Sequence, residues 1–478
     1  MHSSLSFILN GKIVQLDLND SNATPTTTVL NYLRSLPSHK GVKEGCAEGD
    51  CGACTVVLSE LSEGGTLYYR SVDSCLVFLP MIHGKQLITV EELASHKGEL
   101  HPVQQAMVET GGSQCGYCTP GFIMSMFALY KSKDHPSRAE IDDALTGNLC
   151  RCTGYRPIVE AAAQSCAKNG MDHFTQNESD IAALLRSIPN ESLHLRTRTQ
   201  EYFQPRTLRE ALDFKQAHPD CIVICGATDV ALRVTKEHEH LSTILDLSRI
   251  EELRTIEEDG ATITIGATAT LSAVMAGVQK HFPALHSMLS VFGSQQIRNL
   301  ATLGGNLGTA SPVGDTLPVL IAYNARVVLQ SLDAQREVPM DEFIVGYRQT
   351  VRKPDELITA VVIPKTTNGA LVRSYKVSKR KDLDISTVSA GFRLELKDRV
   401  VEKITLAYGG MADRTKRAEA AEKFLIGKQW NRETVGQAMN MIEKEFTPIS
   451  DARGGAEFRR VAAKNLLLKF WSETTAMD

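Results

Sequence analysis

The sequence GCAEGDCGAC, residues Gly45–Cys54, is the most informative segment of the N-terminal third of the chain. Four residues separate Cys46 from Cys51, two separate Cys51 from Cys54, and Cys75 follows further along the chain. Glycine and alanine fill much of the loop, so the backbone can wrap closely around a bound group and direct N–H groups at sulfur. Clustered thiols without a disulfide framework predict a metal or redox site.

This spacing is the one by which plant-type ferredoxins hold a two-iron cluster. Two irons bridged by two sulfides need four thiolates on a small surface, three from one tight loop and the fourth, here Cys75, from a separate element. Zinc is the alternative. Zinc modules favour separate paired knuckles of cysteines, and a loop with this four-residue gap fits that pattern poorly.

A second group of four cysteines follows the first: Cys115, Cys118, Cys150 and Cys152. Spacing alone leaves zinc open here. Thr119 and Pro120 predict a helix start directly after Cys118, and a helix N-terminus favours a thiolate. A similar turn precedes a helix that Pro157 opens, which favours an anionic metal centre between two helix starts. The three remaining cysteines are predicted to be small buried hydrophobes: Cys166, Cys221 and Cys225.

Length and composition bound the function class. The 478 residues suggest about three domains, and a net charge of −4 gives no basic face for nucleic acid. The start MHSSLSFILNGKIVQL predicts no signal peptide. No apolar stretch approaches the ~18 residues that cross a bilayer, and Gly121–Tyr130 is predicted to be an amphipathic helix. We therefore expect a cytoplasmic protein without a membrane partner.

Hydrophobic periodicity divides the chain further. Asn10 and Gly11 predict a two-residue turn in an N-terminal hairpin, and Ser137 with Glu140 matches a helix capping box. A β-rich part of about 90 residues thus precedes a helical part of similar size. Residues 167–199 are rich in polar residues and predict a linker with one short helix. Strands are predicted further on at Ile222–Cys225, Ile263–Ile265 and Val327–Leu329.

Four stretches, in this order, resemble the xanthine dehydrogenase family of molybdenum hydroxylases. They are KEGCAEGDCGACTV (Lys43–Val56), QCGYCTPG (Gln114–Gly121) with GNLCRCTGYRPI (Gly147–Ile158), ATLGGNLGTASPVGDTLPVL (Ala301–Leu320) and YGGMADRTKRA (Tyr408–Ala418). The resemblance spans the chain and implies an α+β multidomain fold. Its parts are a β-grasp ferredoxin-like domain (1–90), a helical 2Fe–2S bundle domain (91–166), the linker (167–199), an α+β FAD-binding domain of the PCMH/VAO-like type (200–368) and a C-terminal α+β flavoprotein domain (369–478).

FAD would need backbone N–H donors from small-residue turns, because neither a Gly-x-Gly-x-x-Gly motif nor a P-loop is present. Two segments matched to the family would hold its pyrophosphate and ribityl chain: Val223, Ile224, Cys225, Gly226, Ala227, Thr228, Asp229 and Val230, and Thr302, Leu303, Gly304, Gly305 and Asn306. Each glycine pair or small-residue run alone predicts only a turn. The two together, matched to a family pattern, predict a flavin site.

The resemblance implies further FAD contacts. Phe292 would lie beside the flavin and adenine region, Asp315 would accept hydrogen bonds, Ile358 would pack on the cofactor and Lys376 would be a polar contact. From residue type alone, Phe292 and Ile358 would be ordinary core residues. Asp315 and Lys376 would be charged residues at the surface. The loop Lys379–Asp384 would lie near the flavin face used by NAD, with its last residue helping to set access.

The resemblance implies an oxidoreductase of purine metabolism that works as a small subunit, with no catalytic residue for purine hydroxylation. Xanthine or hypoxanthine would be hydroxylated at a molybdopterin centre on a large partner chain in a heterotetramer. Electrons would then pass through the helical-domain cluster, the ferredoxin-like cluster and FAD to NAD+. Three alternatives stay open: a carbon monoxide, aldehyde or aromatic acyl-CoA enzyme, a stand-alone flavin reductase, and a zinc-bound interaction module.

Overall fold

The computed structural model describes residues 4–62, 64–95, 97–167, 170–366 and 369–475. Two predictions lie partly outside this range, namely the lack of a signal peptide at Met1–Ser3 and the domain boundary after Asn368. The chain forms two units. Unit 1 comprises Met1–Ala211, Asp220–Arg249 and Ser294–Ala301, and unit 2 comprises Leu212–Pro219, Ile250–Gly293 and Thr302–Asp478.

Unit 1 begins with a five-stranded sheet and one helix. The elements are β1 (Leu5–Leu9), β2 (Lys12–Leu16), α1 (Val29–Ser35), β3 (Thr55–Leu61), β4 (Leu67–Asp73) and β5 (Gln86–Ile88). The strand order is β2-β1-β5-β3-β4, with β1 and β5 parallel and the other neighbours antiparallel. Asn10 and Gly11 adopt positive φ between β1 and β2, so the predicted hairpin is confirmed.

Four helices follow: α2 (Pro102–Glu109), α3 (Thr119–Ser132), α4 (Arg138–Leu145) and α5 (Arg156–Ala167). The predicted helix starts and the capping box of Ser137 and Glu140 are confirmed. The prediction of an amphipathic helix at Gly121–Tyr130 is wrong, since every one of these residues is buried. Helix α3 packs against β3, β4 and the other three helices, so no face of this segment meets water.

The predicted linker at 167–199 contains the short helix that was expected, but over its described part, residues 167 and 170–199, it is more structured than a linker. It contains three elements: α6 (His173–Gln176), α7 (Glu178–Ser187) and β6 (Leu193–Arg196). Ile181 and Leu185 of α7 share an apolar cluster with Ile8 of β1. The frequent polar residues hide this narrow apolar stripe, which becomes stable only through its tertiary partners.

The next elements are β7 (Glu201–Gln204), α8 (Leu208–Ala217), β8 (Ile222–Ile224), α9 (Val230–Thr235) and β9 (Thr243–Asp246). The strands form a sheet of order β6-β7-β9-β8, in which β9 is parallel to both neighbours. Its buried residues, such as Tyr202 and Ile244, share one core with Leu5 and Leu58 of the first sheet. The structure therefore groups residues differently from the predicted boundary at 200, because a shared core is invisible in composition.

Unit 2 contains a second five-stranded sheet and its helices. The chain continues through β10 (Ile256–Glu258), β11 (Thr262–Gly266), α10 (Leu271–Val278), α11 (Pro283–Ser290), α12 (Gln295–Arg298, in unit 1), α13 (Leu303–Thr309), α14 (Thr316–Ala322), β12 (Arg326–Gln330), β13 (Gln335–Pro339), α15 (Met340–Phe343), β14 (Ile344–Gly346), β15 (Gln349–Thr350) and β16 (Leu357–Pro364). The sheet order is β10-β11-β16-β12-β13, antiparallel throughout. The three strands predicted from periodicity beyond residue 200 are confirmed within β8, β11 and β12.

The C-terminal part of unit 2 is a four-stranded antiparallel sheet with three helices. Its elements are β17 (Leu371–Val377), β18 (Val388–Lys397), β19 (Val400–Gly409), β20 (Lys416–Arg417), α16 (Glu419–Leu425), α17 (Arg432–Glu445) and α18 (Ala456–Thr475). The strands are ordered β17-β18-β19-β20, and α18 packs on β17 and β18. No helix in the described part of the chain is long and apolar enough to span a membrane.

Candidate metal centres and flavin-binding turns

The first four cysteines come together in unit 1 as two close pairs. The Sγ atoms of Cys54 and Cys75 lie 3.4 Å apart, and the side chains of Cys46 and Cys51 are hydrogen-bonded to each other. Tight glycines shape the loop between them. Gly52 has φ +65°, and a Cβ there would overlap the backbone of residue 147.

Backbone donors converge on Cys46 as the loop composition predicts. The N–H groups of Glu48 and Asp50 donate to its Sγ at 3.4 and 3.3 Å. The hydrogen bond from Cys51, followed by these backbone donors, lowers the pKa of Cys46 to about 5. The loop therefore stabilises negative charge on sulfur, which is what a metal-bound thiolate needs.

Asp73 is a neighbour of this site that the sequence did not indicate. It is fully buried, and its Oδ1 lies 3.7 Å from Cys54 Sγ. Burial raises the pKa of Asp73 well above its usual range, with the charge near Cys46 adding to the effect. The only feature of the sequence that could have indicated Asp73 is its position two residues before Cys75.

The second four cysteines also form two pairs. Cys115 Sγ and Cys152 Sγ lie 3.6 Å apart, and Cys118 is hydrogen-bonded to Cys150. Cys115 and Cys152 are exposed, whereas Cys150 is buried. Cys118 stands at the start of α3 as predicted. Burial, followed by the hydrogen bond and the charge of Cys150, raises the pKa of Cys118 to about 12.

The pairing tests which metal the two groups can hold. Two thiolates on one tetrahedral metal, with bonds of about 2.3 Å, stand roughly 3.7 Å apart, close to the distances within the measured pairs. In the described ranges, no three histidine, cysteine or acidic side chains converge on a single ion. The sulfur–sulfur distances in these two pairs therefore fit an iron that takes one sulfur pair of a two-iron cluster.

The first predicted flavin turn, Val223–Val230, connects β8 to α9 in unit 1. A Cβ on Gly226 would overlap the carbonyl oxygen of Leu300, so the close backbone approach requires glycine. Ala227 adopts φ +56° in the same turn. Cys225 is half-buried here, while Cys166 and Cys221 are buried as predicted. The strand and the tight turn are confirmed, and their role with FAD stays a prediction.

The second predicted turn, Thr302–Asn306, lies in unit 2 and is the start of helix α13. Thr302 caps this helix, because its Oγ1 accepts from the N–H of Gly305 at 3.1 Å. Gly304 is buried against Ala267, where a side chain would clash, while Gly305 is exposed. Asn306 is not free, since its Oδ1 accepts from Thr316 at 2.6 Å. The N–H groups of Leu303, Gly304, Gly305 and Asn306 all donate within the chain, so this turn offers a ligand the exposed, side-chain-free surface of Gly305 rather than free N–H donors.

Residue type alone predicted that Asp315 and Lys376 lie at the surface, and this prediction is wrong. Both are buried, and Lys376 Nζ lies 2.8 Å from Asp315 Oδ2. Ser386 donates to the other carboxylate oxygen at 2.5 Å, and Lys376 also donates to the carbonyl of Val291 at 3.1 Å. Ser386 has no signal in the sequence. A buried charge persists where it is paired and hydrogen-bonded, which spacing cannot show.

The remaining predicted contacts are only half-buried. Phe292 and Ile358 are partly exposed, and their contact with FAD stays a prediction. In the loop Lys379–Asp384, Arg380 binds Asp384 through its backbone N–H and its guanidinium, both at 2.7 Å. Leu383 adopts φ +67°, which is rare for a leucine and shows a locally strained backbone.

Three domain families match the chain. The FAD binding domain in molybdopterin dehydrogenase matches residues 196–366, and the CO dehydrogenase flavoprotein C-terminal domain matches residues 373–474. The 2Fe-2S binding domain matches residues 89–163, which include the second cysteine group.

Named relatives cover nearly the whole chain. It is 33% identical to xanthine dehydrogenase of Emericella nidulans over 98% of its length, which is 38% of that protein. Identity to mouse (Mus musculus) xanthine dehydrogenase/oxidase is also 33%, over 98% of the chain and 38% of that protein. The chain thus spans less than half the length of these relatives.

Solved structures match part of the chain. Carbon monoxide dehydrogenase from Hydrogenophaga pseudoflava gives a TM-score of 0.54 at 27% identity, covering 57% of this chain and 95% of that one. Quinoline 2-oxidoreductase from Pseudomonas putida 86 gives 0.53 at 24% identity, covering 58% and 97%, and supports the fold alone.

Proposed function

This chain belongs to the molybdenum hydroxylase family, and we propose on that basis that it passes electrons from a molybdenum centre on a partner chain to NAD+. The observation that carries the proposal is the arrangement of eight cysteines in unit 1 as four sulfur pairs in two groups. Each group has the donors of one 2Fe–2S cluster. A cluster passes single electrons, so two in series form a relay.

The four cysteines nearest the N-terminus would hold one cluster and the later four the other. The hydrogen bonds to Cys46 would stabilise sulfur charge and tune the potential of the first. The exposed sulfurs of Cys115 and Cys152 make the second group the accessible one. An electron donor on a partner chain would therefore reach this group first. The partner would be a large molybdopterin-containing chain, in a heterotetramer with two copies of each.

FAD would be the exit of the relay, since it accepts electrons singly and releases a hydride. The turn Val223–Val230 would supply backbone donors to its pyrophosphate, and the helix start Thr302–Asn306 would let the ribityl chain approach closely over the exposed Gly305. Phe292, Ile358 and the ion pair of Asp315 with Lys376 would complete the cofactor contacts. NAD+ would accept the hydride beside the loop that carries Asp384.

The proposed substrate of the whole assembly is a purine, xanthine or hypoxanthine. Support comes from relatives named xanthine dehydrogenase, which align with 98% of the chain. A second candidate is the electron-transfer chain of a carbon monoxide dehydrogenase, which the similarity to the solved enzyme of that name favours. In both cases the proposed substrate binds to the partner, and this chain works in the cytoplasm as its redox subunit.

Three measurements on the purified full chain test the proposal. We expect about four irons, about four acid-labile sulfides and one FAD per chain, together with NADH-dependent dye reduction. Without a molybdenum partner, we expect no hydroxylation of xanthine. Zinc without acid-labile sulfide would contradict the proposal that the chain carries two 2Fe–2S clusters. Xanthine hydroxylation by the isolated chain would contradict the proposal that the substrate reacts on a partner chain. Co-purification with a chain active on xanthine or on carbon monoxide would distinguish the two candidate substrates.

A further inference from the structure

A buried amide stands between the two cysteine groups. Asn148, two residues before Cys150, is 2% exposed. Its Nδ2 donates to the carbonyl of Gly52 at 3.0 Å and to Thr55 Oγ1 at 3.2 Å. Gly52 lies between two cysteines of the first group, so this side chain holds one cysteine loop against the other.

The acceptor side of the same amide is also fully used. Ser125 of α3 donates to Asn148 Oδ1 at 2.6 Å, and Gln296 Nε2 donates to it at 2.9 Å. Gln296 donates to Ser125 Oγ as well, at 2.9 Å, and is itself fully buried. Two donors and two acceptors therefore fix the position of Asn148, and a buried amide satisfied on both sides has little freedom to rotate.

Next to this amide, one backbone hydrogen bond joins the two loops directly. The N–H of Leu149 donates to the carbonyl of Cys51 at 3.0 Å. Leu149 is bonded to Cys150, a ligand candidate of the second group, and Cys51 is a ligand candidate of the first. A short path therefore connects the two proposed metal centres: it follows the backbone from Cys150 to Leu149 and crosses one hydrogen bond to Cys51.

Glycines make the close approach possible. A Cβ on Gly121 would overlap the carbonyl oxygen of Gly52, and a Cβ on Gly147 would overlap the side chain of Gln296. A third contact, from Tyr117 Oη to the carbonyl of Glu44 at 2.5 Å, joins the loops nearer the surface. The packing around Asn148 leaves no space for the loops to slide past each other.

Gln296 comes from α12, far along the chain, within residues that match the FAD binding domain. Its segment is anchored in unit 1 by contacts of its own. Arg298 pairs with Asp143 of α4 at 2.5 Å, and Asn299 Nδ2 donates to the carbonyl of Ser71 at 2.9 Å. Loss of the Gln296 amide should therefore loosen Asn148 without releasing α12.

We infer that Gln296 is a positioning residue: through Asn148 it fixes the spacing of the two cysteine loops, which the hydrogen bond from Leu149 to Cys51 joins. The inference rests on the proposed function, since it needs a cluster in each group. With both clusters bound, the spacing that Gln296 fixes would set the magnetic coupling and the rate of one-electron exchange between them.

The test compares wild type with Gln296→Met, which keeps the length of the side chain and removes its hydrogen bonds. Iron, labile sulfide and FAD contents should equal those of wild type. With both centres reduced, the magnetic splitting between them in the electron paramagnetic resonance spectrum should change. Electron exchange between them after flash reduction should slow severalfold, because the two cysteine loops no longer keep one fixed spacing.

Gln295→Met is the matched control, since Gln295 is the neighbouring residue of α12 outside the network, and it should leave splitting and exchange unchanged. Ser125→Ala removes one donor to Asn148 and should act in the same direction as Gln296→Met, even if the latter folds poorly. If wild type has two coupled centres but both network variants show unchanged splitting and exchange, the inference is overturned and the proposed function still stands. A wild-type chain without two iron–sulfur centres would overturn the proposed function and the inference with it.

Discussion

Lys376 connects three parts of unit 2 through its buried ammonium group. It pairs with Asp315 and donates to the carbonyl of Val291, while Ser386 donates to the same carboxylate. We predict that Lys376→Met lowers the free energy of unfolding by about 3–5 kcal/mol, because a buried carboxylate loses its counter-charge. Chemical denaturation and the FAD content of the purified chain would measure this.

The double variant Lys376→Met with Asp315→Leu is the control, and it should recover most of the lost stability, because an apolar pair of similar volume often replaces a buried ion pair without cost. A single variant as stable as wild type would show that the pair contributes nothing to the folded state.

The sulfur pairs lead to a second prediction for single residues. Cys115→Ala should remove the cluster of the second group and lower the iron content from about four to about two per chain. The first group should keep its cluster, because its four sulfurs come from other loops. Iron and labile-sulfide assays measure the outcome, and Cys221→Ala, a buried cysteine outside both groups, should keep all the iron. Loss of all iron in Cys115→Ala would contradict two independent sites.

Spacing predicted which eight sulfurs come together, because ligand loops are local in sequence. It did not predict Asp73 beside Cys54, or Ser386 on Asp315. These contacts join residues whose proximity is decided by strand pairing and burial. The same reason explains why Asp315 and Lys376 were predicted to lie at the surface, since the sequence does not show which charged residues pair in the folded chain.

At the level of elements, α3 depends on its first glycine. A Cβ on Gly121 would overlap the carbonyl of Gly52, so Gly121→Ala should push α3 away from the first cysteine loop. We expect a loss of about 1–3 kcal/mol in unfolding free energy, as for other overpacked sites. Gly436→Ala in α17 is the matched control, because its nearest neighbour is the Arg432 guanidinium at 3.5 Å. It should gain up to about 1 kcal/mol. Equal melting temperatures for the two variants would contradict the crowding.

The segment that carries α6 is held to the helical part by Asp172. Its carboxylate accepts from His101 at 3.1 Å and from the N–H of Thr175 at 2.7 Å, and it pairs with Lys131 at 3.0 Å. Burial alone would raise the pKa of Asp172, but these partners together hold it well below its usual range. The unfolded chain therefore binds this proton more readily than the folded chain does.

The resulting stabilisation is present above the unfolded pKa of about 3.9 and is lost as pH falls below it. We predict that Asp172→Asn lowers stability by about 2 kcal/mol at pH 7, and that the difference from wild type narrows towards pH 3. Thermal unfolding across this range measures it. Asp142→Asn, an exposed partner of Arg138, should change little at any pH. A difference for Asp172→Asn that does not vary with pH would refute the linkage.

Elements with strong local signals could be predicted from sequence, such as the Asn10–Gly11 hairpin and the capped start of α4. Elements without such signals, α6 and β6, were missed. The short helix predicted within the linker is α7, but its packing against Ile8 could not be predicted from composition. The burial of α3 on every side also could not be predicted, because hydrophobic periodicity does not show how many elements pack around a helix.

For the whole molecule, the proposed relay predicts a fixed electron capacity. Two clusters take one electron each and FAD takes two, so anaerobic titration should consume about four electrons per chain. Cys115→Ala should consume about three. Visible absorption at each step would separate flavin from iron–sulfur bands. An uptake of about two electrons by a wild-type chain with full iron content would contradict electronic connection among the three groups.

Unit 1 is assembled from three separate stretches of chain, and its central amide contact joins residues 148 positions apart. A ribosome that has made the whole helical part has therefore not yet supplied the donor that completes the contact around Asn148. The network around Asn148 is complete only after Gln296 has emerged, late in synthesis, and contacts this distant in sequence form slowly. Iron delivered to the nascent chain would meet cysteine loops that Gln296 does not yet hold in place.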